Sequence, residues 1–225
     1  MPTYLTCASL LRRVLLCLGS CLLCLGSATS GAGNATSALA EAIAANRLQA
    51  WEQLFEKTPN ESDAQLLERI NSFVNGSVLF GEDSDIWGQN DYWASPQETL
   101  ARGRGDCEDI AIAKYFALLR LGMNDDKLRL TFVKDLNSRR AHMVLAYYAG
   151  EGAEPLILDN LRPQILPASQ RPDLLPVYAF NNQGIFVDRG LQKKSSQSPQ
   201  LLSRWQDVSA RALAEGALRA EAPRG

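Results

Sequence analysis

The sequence predicts an α+β fold in which a buried central helix packs on an antiparallel sheet. Two segments with apolar residues at spacings of three and four fill the first third, and residues 107–121 are apolar nearly all round. Beyond them, short β-branched and aromatic runs alternate with Gly, Pro, Asn and acidic turns. With 225 residues and 46% hydrophobic content, the chain suits one substantial domain better than two.

The first 30 residues stand apart. Arg12 and Arg13 precede a leucine-rich run that gives way to small residues, the layout of a secretory signal. The reading is a signal peptide over 1–30, cleaved near Ala28-Thr29-Ser30 or Ser30-Gly31-Ala32, and one domain over 31–225. Its core would span about 60–190, with a C-terminal helix and frayed tail over 198–225. The alternatives are an uncleaved anchor, for which the apolar run is short, and a lipoprotein signal ending at Cys21.

Cleavage would remove Cys7, Cys17, Cys21 and Cys24, leaving Cys107 as one thiol with no disulfide framework. It would also remove Arg12 and Arg13 from the 23 basic residues, against 25 acids. That mildly acidic balance argues against nucleic acid as a partner.

Residues 35–57 are rich in helix formers, and Thr58-Pro59-Asn60 stops that helix. A second, 61–76, carries Leu66, Leu67, Ile70 and Phe73 on one face. Residues 76–106 show no periodicity but hold Phe80, Trp87, Tyr92 and Trp93, so a folded loop lining a groove is expected. The central helix starts at Cys107 and is expected to end at Asn124-Asp125-Asp126. Strands follow in "LRLTFV", "AHMVLAYY", "PLILD", "VYAF" and "GIFV", and a last helix lies around "LLSRWQDVSARALAE".

Cys107 sits at the first turn of the apolar helix, where unpaired amides and the macrodipole would lower a thiol pKa and bind an oxyanion. His142, the one histidine of the chain, begins a strand, and Asp159 ends the next. A hairpin centred near Gly150 and Glu151 would place the two directly opposite, with Cβ atoms about 5 Å apart. A carboxylate there can orient an imidazole, as in a nucleophile–base–acid triad. A lone cysteine is ordinarily inert and a lone histidine ordinarily a satisfied polar residue; the joint arrangement is what points to nucleophilic chemistry.

Asp106 suits the N-cap and Asp109 the capping-box position. Together with Glu108 they would repel a thiolate unless neutralised. A hard divalent cation, calcium in an exported compartment, would do so. Plain capping with solvated acids, or pairing with Arg102 and Arg104, is the alternative.

The stretches "WASPQETLARGRGDCEDIAIAKYFALLRLG", "RRAHMVLAYY" and "PLILDNL" resemble the bacterial transglutaminase-like cysteine proteinases, the LapG-type periplasmic proteases. The likeness runs roughly from Asn71 to Asp188. It implies a papain-like or transglutaminase-like fold, with Cys107 as nucleophile, His142 as base and then acid, and Asp159 as orienter. It also implies calcium dependence with Asp106 and Glu108 as ligands, Asp109 as a further one, and a periplasmic location. The family's task would be to cut a large surface adhesin near its N-terminus after a pair of alanines, releasing it and dispersing biofilm. A cyclic di-GMP-sensing inner-membrane receptor would sequester the protease, with Trp87, Tyr92 and Trp93 as contact candidates. A transglutaminase-like acyl transfer on the same triad and a non-enzymatic binding module are the competing readings.

Overall fold

The computed structural model describes residues 35–56, 61–187, 192–194 and 199–216, so the expected signal segment lies outside the described residues. Residues 35–53 are helical (α1). The chain divides into two compact units, Met1–Asn46 and Arg47–Gly225. In the first, the Ser37 hydroxyl donates to Glu41 at 3.1 Å. Among the described residues, the second contains the end of α1 and every other element.

Helix α2 (Asp63–Ser77) starts on a capping box, Ser62 and Gln65 bonding each other's amides, and buries Leu67, Ile70, Asn71 and Val74. The segment 76–106 is more regular than its sequence suggests. It holds β1 (Leu79–Phe80), α3 (Asp83–Ile86), α4 (Pro96–Arg102) and β2 (Arg104–Gly105). A signal for α4 was present: Ser95 and Glu98 form a capping box, Pro96 occupies the first turn, and Gly103 closes the helix at φ 64°. The helix is only two turns long, too short for apolar periodicity to show. Strands β1 and β2 pair in parallel, Leu79 with Arg104 and Phe80 with Gly105, which ties the loop to the start of the next helix.

Helix α5 (Cys107–Arg120) is the axis of the core. It ends earlier than the Asn124 stop suggests. Gly122, at φ 93°, donates to Leu119 O, and Met123 donates to Leu118 O, a Schellman closure. Ile110, Ile112, Tyr115, Phe116 and Leu118 are at most 2% exposed, and each aliphatic among them contributes roughly 1.5–3 kcal/mol through burial.

The helix packs on a sheet ordered β6-β5-β4-β3-β7-β8-β9, antiparallel throughout. Its strands are β3 (Leu128–Asp135), β4 (Ala141–Tyr147), β5 (Leu156–Leu158), β6 (Leu166–Pro167), β7 (Leu174–Asn181), β8 (Gly184–Val187) and β9 (Gln192–Lys194). Alternation sends Leu128, Leu130, Met143, Leu145 and Leu158 into the main core with α5. Val133, Val144, Ala146 and Ile157 form a separate small cluster on the opposite face.

The C-terminal helix α6 (Pro199–Ala214) is structurally central despite its uninformative sequence. Trp205 stacks on Phe116 at 5.6 Å and meets Phe180 edge-on at 5.3 Å. Arg211 donates to Trp93 O at 2.7 Å and pairs with Glu98, clamping the loop that precedes α4. Among the described residues, no helix is long and apolar enough to cross a membrane.

Candidate active site

Cys107 opens α5, one residue after the N-cap Asp106, whose carboxylate accepts from the Asp109 amide at 3.3 Å. Asp109 does not complete a capping box. It reaches sideways to accept from the Ala94 amide at 2.7 Å, fastening the preceding loop to the helix start. Cys107 is partly buried, and its thiol donates to Glu108 Oε2 at 3.0 Å. The Met143 amide, next along β4 from His142, lies near the same sulfur and acts to lower its pKa.

The sequence suggests a lowered thiol pKa; the structure gives the reverse. Burial pushes the Cys107 thiol far up, and the charge and hydrogen bond of Glu108 and the charge of Asp106 push it further, against the Met143 amide alone. The helix terminus supplies only ~0.3–1 kcal/mol, too little to win.

His142 and Asp159 meet, though not in the expected register. Direct opposition would set Leu145 against Leu156; instead Leu145 pairs with Leu158 and Tyr147 with Leu156. The turn is displaced toward Gly152, whose φ of 74° suits glycine. A slip of two residues preserves the face each side chain points to, so Asp159 becomes a diagonal neighbour. His142 Nε2 lies 2.8 Å from Asp159 Oδ1, both residues buried.

Both carboxylate oxygens and the backbone carbonyl of Asp159 have donors. The Leu161 amide donates to Oδ1 at 3.0 Å, Arg171 Nη2 donates to Oδ2 at 2.7 Å, and Asn75 donates to its backbone carbonyl at 2.8 Å. Burial acts to raise its pKa, but the bond and charge of His142, the Leu161 amide and Arg171 outweigh it and hold the carboxyl at about 2. Arg171 is itself held by Asp173.

A second set of carboxylates gathers at the start of α5. Asp83, Asp106 and Asp109 are all buried and each offers one oxygen within 4.8 Å of the others. Asp83 Oδ2 accepts from the Tyr92 amide at 2.5 Å, while Asp83 Oδ1 and Asp109 Oδ2 are buried without partners. Burial, joined by mutual repulsion and Glu108, raises Asp83 to about 6 and Asp109 to about 8, and drives Asp106 up as well. Buried oxygens left bare, with only hard donors around them, fit a hard cation.

The sequence profile described as bacterial transglutaminase-like cysteine proteinase BTLCP matches residues 45–174, more than half the chain. The chain belongs to this family. It is a cysteine protease of transglutaminase-like type. Among solved structures it is similar to Legionella pneumophila LapG, at 39% identity over 75% of this chain and 89% of that one, TM-score 0.65. The EGTA-treated form gives 40% identity over the same shares, TM-score 0.64. The calcium-bound form gives 38% identity over 78% of this chain and 96% of that one, TM-score 0.67. No curated protein matches.

Within this cysteine proteinase, the remaining sequence candidates divide. Asp106 and Asp109 lie in the buried carboxylate group; Glu108 lies outside it, on the thiol. Trp93, one of the contact candidates, is a core residue 5% exposed and stacked on Phe180 at 5.6 Å, because it sits beneath the α6 clamp. Tyr92 is half-buried, bonding Glu98 at 2.9 Å, and Trp87 packs on it at 4.9 Å. Sequence reading missed Asp83 and Arg171. Asp83 looked like one acid among several in an aperiodic loop, and only the β1–β2 pairing carries its helix to the α5 tip. Arg171 had no motif, and its place depends on the short turn that follows β6.

Proposed function

We propose that this protease is a calcium-dependent periplasmic thiol endopeptidase with a Cys107–His142–Asp159 triad. The observation that carries the reading is the buried His142–Asp159 bond, on the strand whose next residue, Met143, has its amide near the Cys107 sulfur. Because Asp159 is ionised it can only accept, so His142 Nε2 carries the proton and Nδ1 offers its lone pair. Nδ1 takes the thiol proton as the sulfur attacks a peptide carbonyl. The imidazolium then protonates the departing amine and leaves a thioester. Water, deprotonated by His142, adds to the thioester; the C–S bond breaks, the carboxylic acid product leaves, and the imidazolium returns its proton to the sulfur.

Asp83, Asp106 and Asp109 would hold the calcium ion; Glu108, beside them, is the further candidate. Bound there, calcium supplies positive charge that offsets the acids raising the thiol pKa. Asp106 caps the helix, Asp109 fastens the 91–95 loop and Glu108 takes the resting thiol's hydrogen bond.

The family likeness extends the proposal. Residues 1–30 would act as an export signal. The substrate would be a large surface adhesin, cut at a dialanine near its N-terminus to release it and disperse biofilm. A cyclic di-GMP-sensing receptor would restrain the enzyme, and half-buried Trp87 and Tyr92 are the better-placed contacts, Trp93 being in the core.

The test is to incubate a purified adhesin N-terminus with wild type, Cys107→Ala and His142→Ala, with and without chelator, and weigh the products. Two shorter chains from calcium-loaded wild type alone are expected. A crosslinked product would replace hydrolysis with acyl transfer, cleavage by Cys107→Ala would remove the triad, and undiminished cleavage in excess chelator would remove the calcium requirement.

A further inference from the structure

Residues 92–95 are held from two sides. Toward α5, the Tyr92 amide donates to Asp83 Oδ2 at 2.5 Å and the Ala94 amide to Asp109 Oδ1 at 2.7 Å. Each acid is thus fixed through one oxygen, while its other, Asp83 Oδ1 or Asp109 Oδ2, is buried and bare. Toward α6, Arg211 donates from Nη2 to Trp93 O at 2.7 Å and from Nη1 to the Tyr92 hydroxyl at 3.0 Å, with its guanidinium 5.0 Å from the Tyr92 ring centre. Just past the end of α6, Glu215 accepts from the Ser95 hydroxyl and from the Gln97 amide.

The Trp93 carbonyl and the Ala94 amide belong to one peptide unit. That unit is planar and trans, so its C=O and N–H point in opposite directions and turn together. It is therefore stretched between Arg211 on its oxygen and Asp109 on its nitrogen. A charged donor on the oxygen both fixes the plane and polarises the N–H that faces Asp109. Glu98 and Asp207 each pair with Arg211, so it is not a lone cation aimed at the acidic group; its route to Asp109 is the shared peptide. Without that clamp the plane is free to rotate, and Asp109, at 0% exposure, loses the donor that decides which of its oxygens stays bare.

We infer that Arg211 is a positioning residue for the cation site: from α6 it locks the Trp93–Ala94 peptide, and through that peptide it sets Asp109 to present its free oxygen to the ion. The assignment deepens the calcium reading proposed above and rests on it. Hydrogen-bond partners that orient metal-binding side chains typically account for about 10–100-fold in metal affinity, which sets the size of the effect. A helix that sequence alone reads as peripheral thereby becomes part of how the site is built.

Calorimetric titration of the chelator-treated protein with calcium chloride tests this on wild type, Arg211→Met, Arg211→Lys and Val208→Ala, with thermal unfolding of each in chelator to show that it folds. Arg211→Met keeps the stem and loses every donor, so Kd should rise ~10-fold or more. Arg211→Lys keeps the charge without the planar fork and covers the case in which Arg211→Met does not fold; its Kd should rise at least ~3-fold. Val208, fully buried on the same helix, offers the control. Val208→Ala loosens packing but removes no hydrogen bond, and its Kd should stay within about twofold of wild type. Wild-type affinity in a folded Arg211 variant, or an equal loss in Val208→Ala, would overturn the role of Arg211 and leave the calcium reading standing. No calcium uptake by wild type would overturn both.

Discussion

Asp159 and the Asp83–Asp106–Asp109 group are all buried, yet their carboxyls respond in opposite directions. Asp159 is held at about 2, while Asp83 rises to about 6 and Asp109 to about 8. What differs is the company. Asp159 has an imidazole, a guanidinium and an amide on its oxygens; the acidic group has backbone amides and one another. Burial sets the size of the electrostatic stakes, and partners set their sign. The first site is completed by this chain's own residues. The second leaves two oxygens bare and is complete only with a cation from outside.

The largest expected effect comes from breaking the completed site. Asp159→Asn keeps the shape but removes the charge that fixes the His142 tautomer, and it leaves Arg171 facing an amide. We expect kcat to fall by roughly 10²–10⁴, with KM changed little, and stability to drop by ~3–5 kcal/mol. Steady-state kinetics on a peptide substrate and urea unfolding check both. Activity within tenfold of wild type would mean that the carboxylate does not orient the base.

The unfinished site should respond with the opposite sign. In chelator, groups whose folded pKa lies above the unfolded value stabilise fully below about pH 4, and that contribution is lost as pH rises through about 6 for Asp83 and 8 for Asp109. Asp159, with a folded pKa below its unfolded value, contributes above about pH 4 and loses that contribution as pH falls through 2. Metal-free protein should therefore weaken between pH 4 and 8, and calcium should abolish that slope. Asp83→Asn should raise metal-free stability at pH 8 by ~1–3 kcal/mol while forfeiting most of the calcium-induced stabilisation. Thermal melts across pH, with and without calcium, read all of this; a flat metal-free profile would contradict it.

Much of this contrast was legible before folding. The tip of α5 could be read because the N-cap acid, the thiol and the apolar helix are adjacent in sequence. The His142–Asp159 pair could be read because a slip of two residues leaves strand faces unchanged, so a wrong register still brought the right groups together. Asp83 and Arg171 could not. Each reaches its site through a pairing whose own sequence is too short to declare itself, two residues in β1 and two in β6. Trp93 could not be placed, because an aromatic in an aperiodic loop suits a contact, a groove wall or the core equally until α6 is known to fold over it. The thiol pKa misled because the helix-end effect is visible in sequence and the depth of burial is not.

The smallest expected effect concerns Lys114, which lies on α5 at 1% exposure. Burial drops its pKa to about 7, and the charge of Asp159 only partly resists. A lysine that binds its proton more weakly folded than unfolded costs stability, fully below pH 7 and not at all above about 10.4. Asp159 draws its low pKa chiefly from His142, Leu161 and Arg171. Lys114 is thus a surplus cation beside a finished site. Lys114→Met, similar in volume and without the charge, should raise stability at pH 7 by ~1–2 kcal/mol, with the gain vanishing near pH 10, and leave kcat within a factor of about two. If kcat fell with the substitution, the completed site would depend on a long-range charge as well as on direct bonds, and the distinction between the two acidic regions would have to be redrawn to include Lys114.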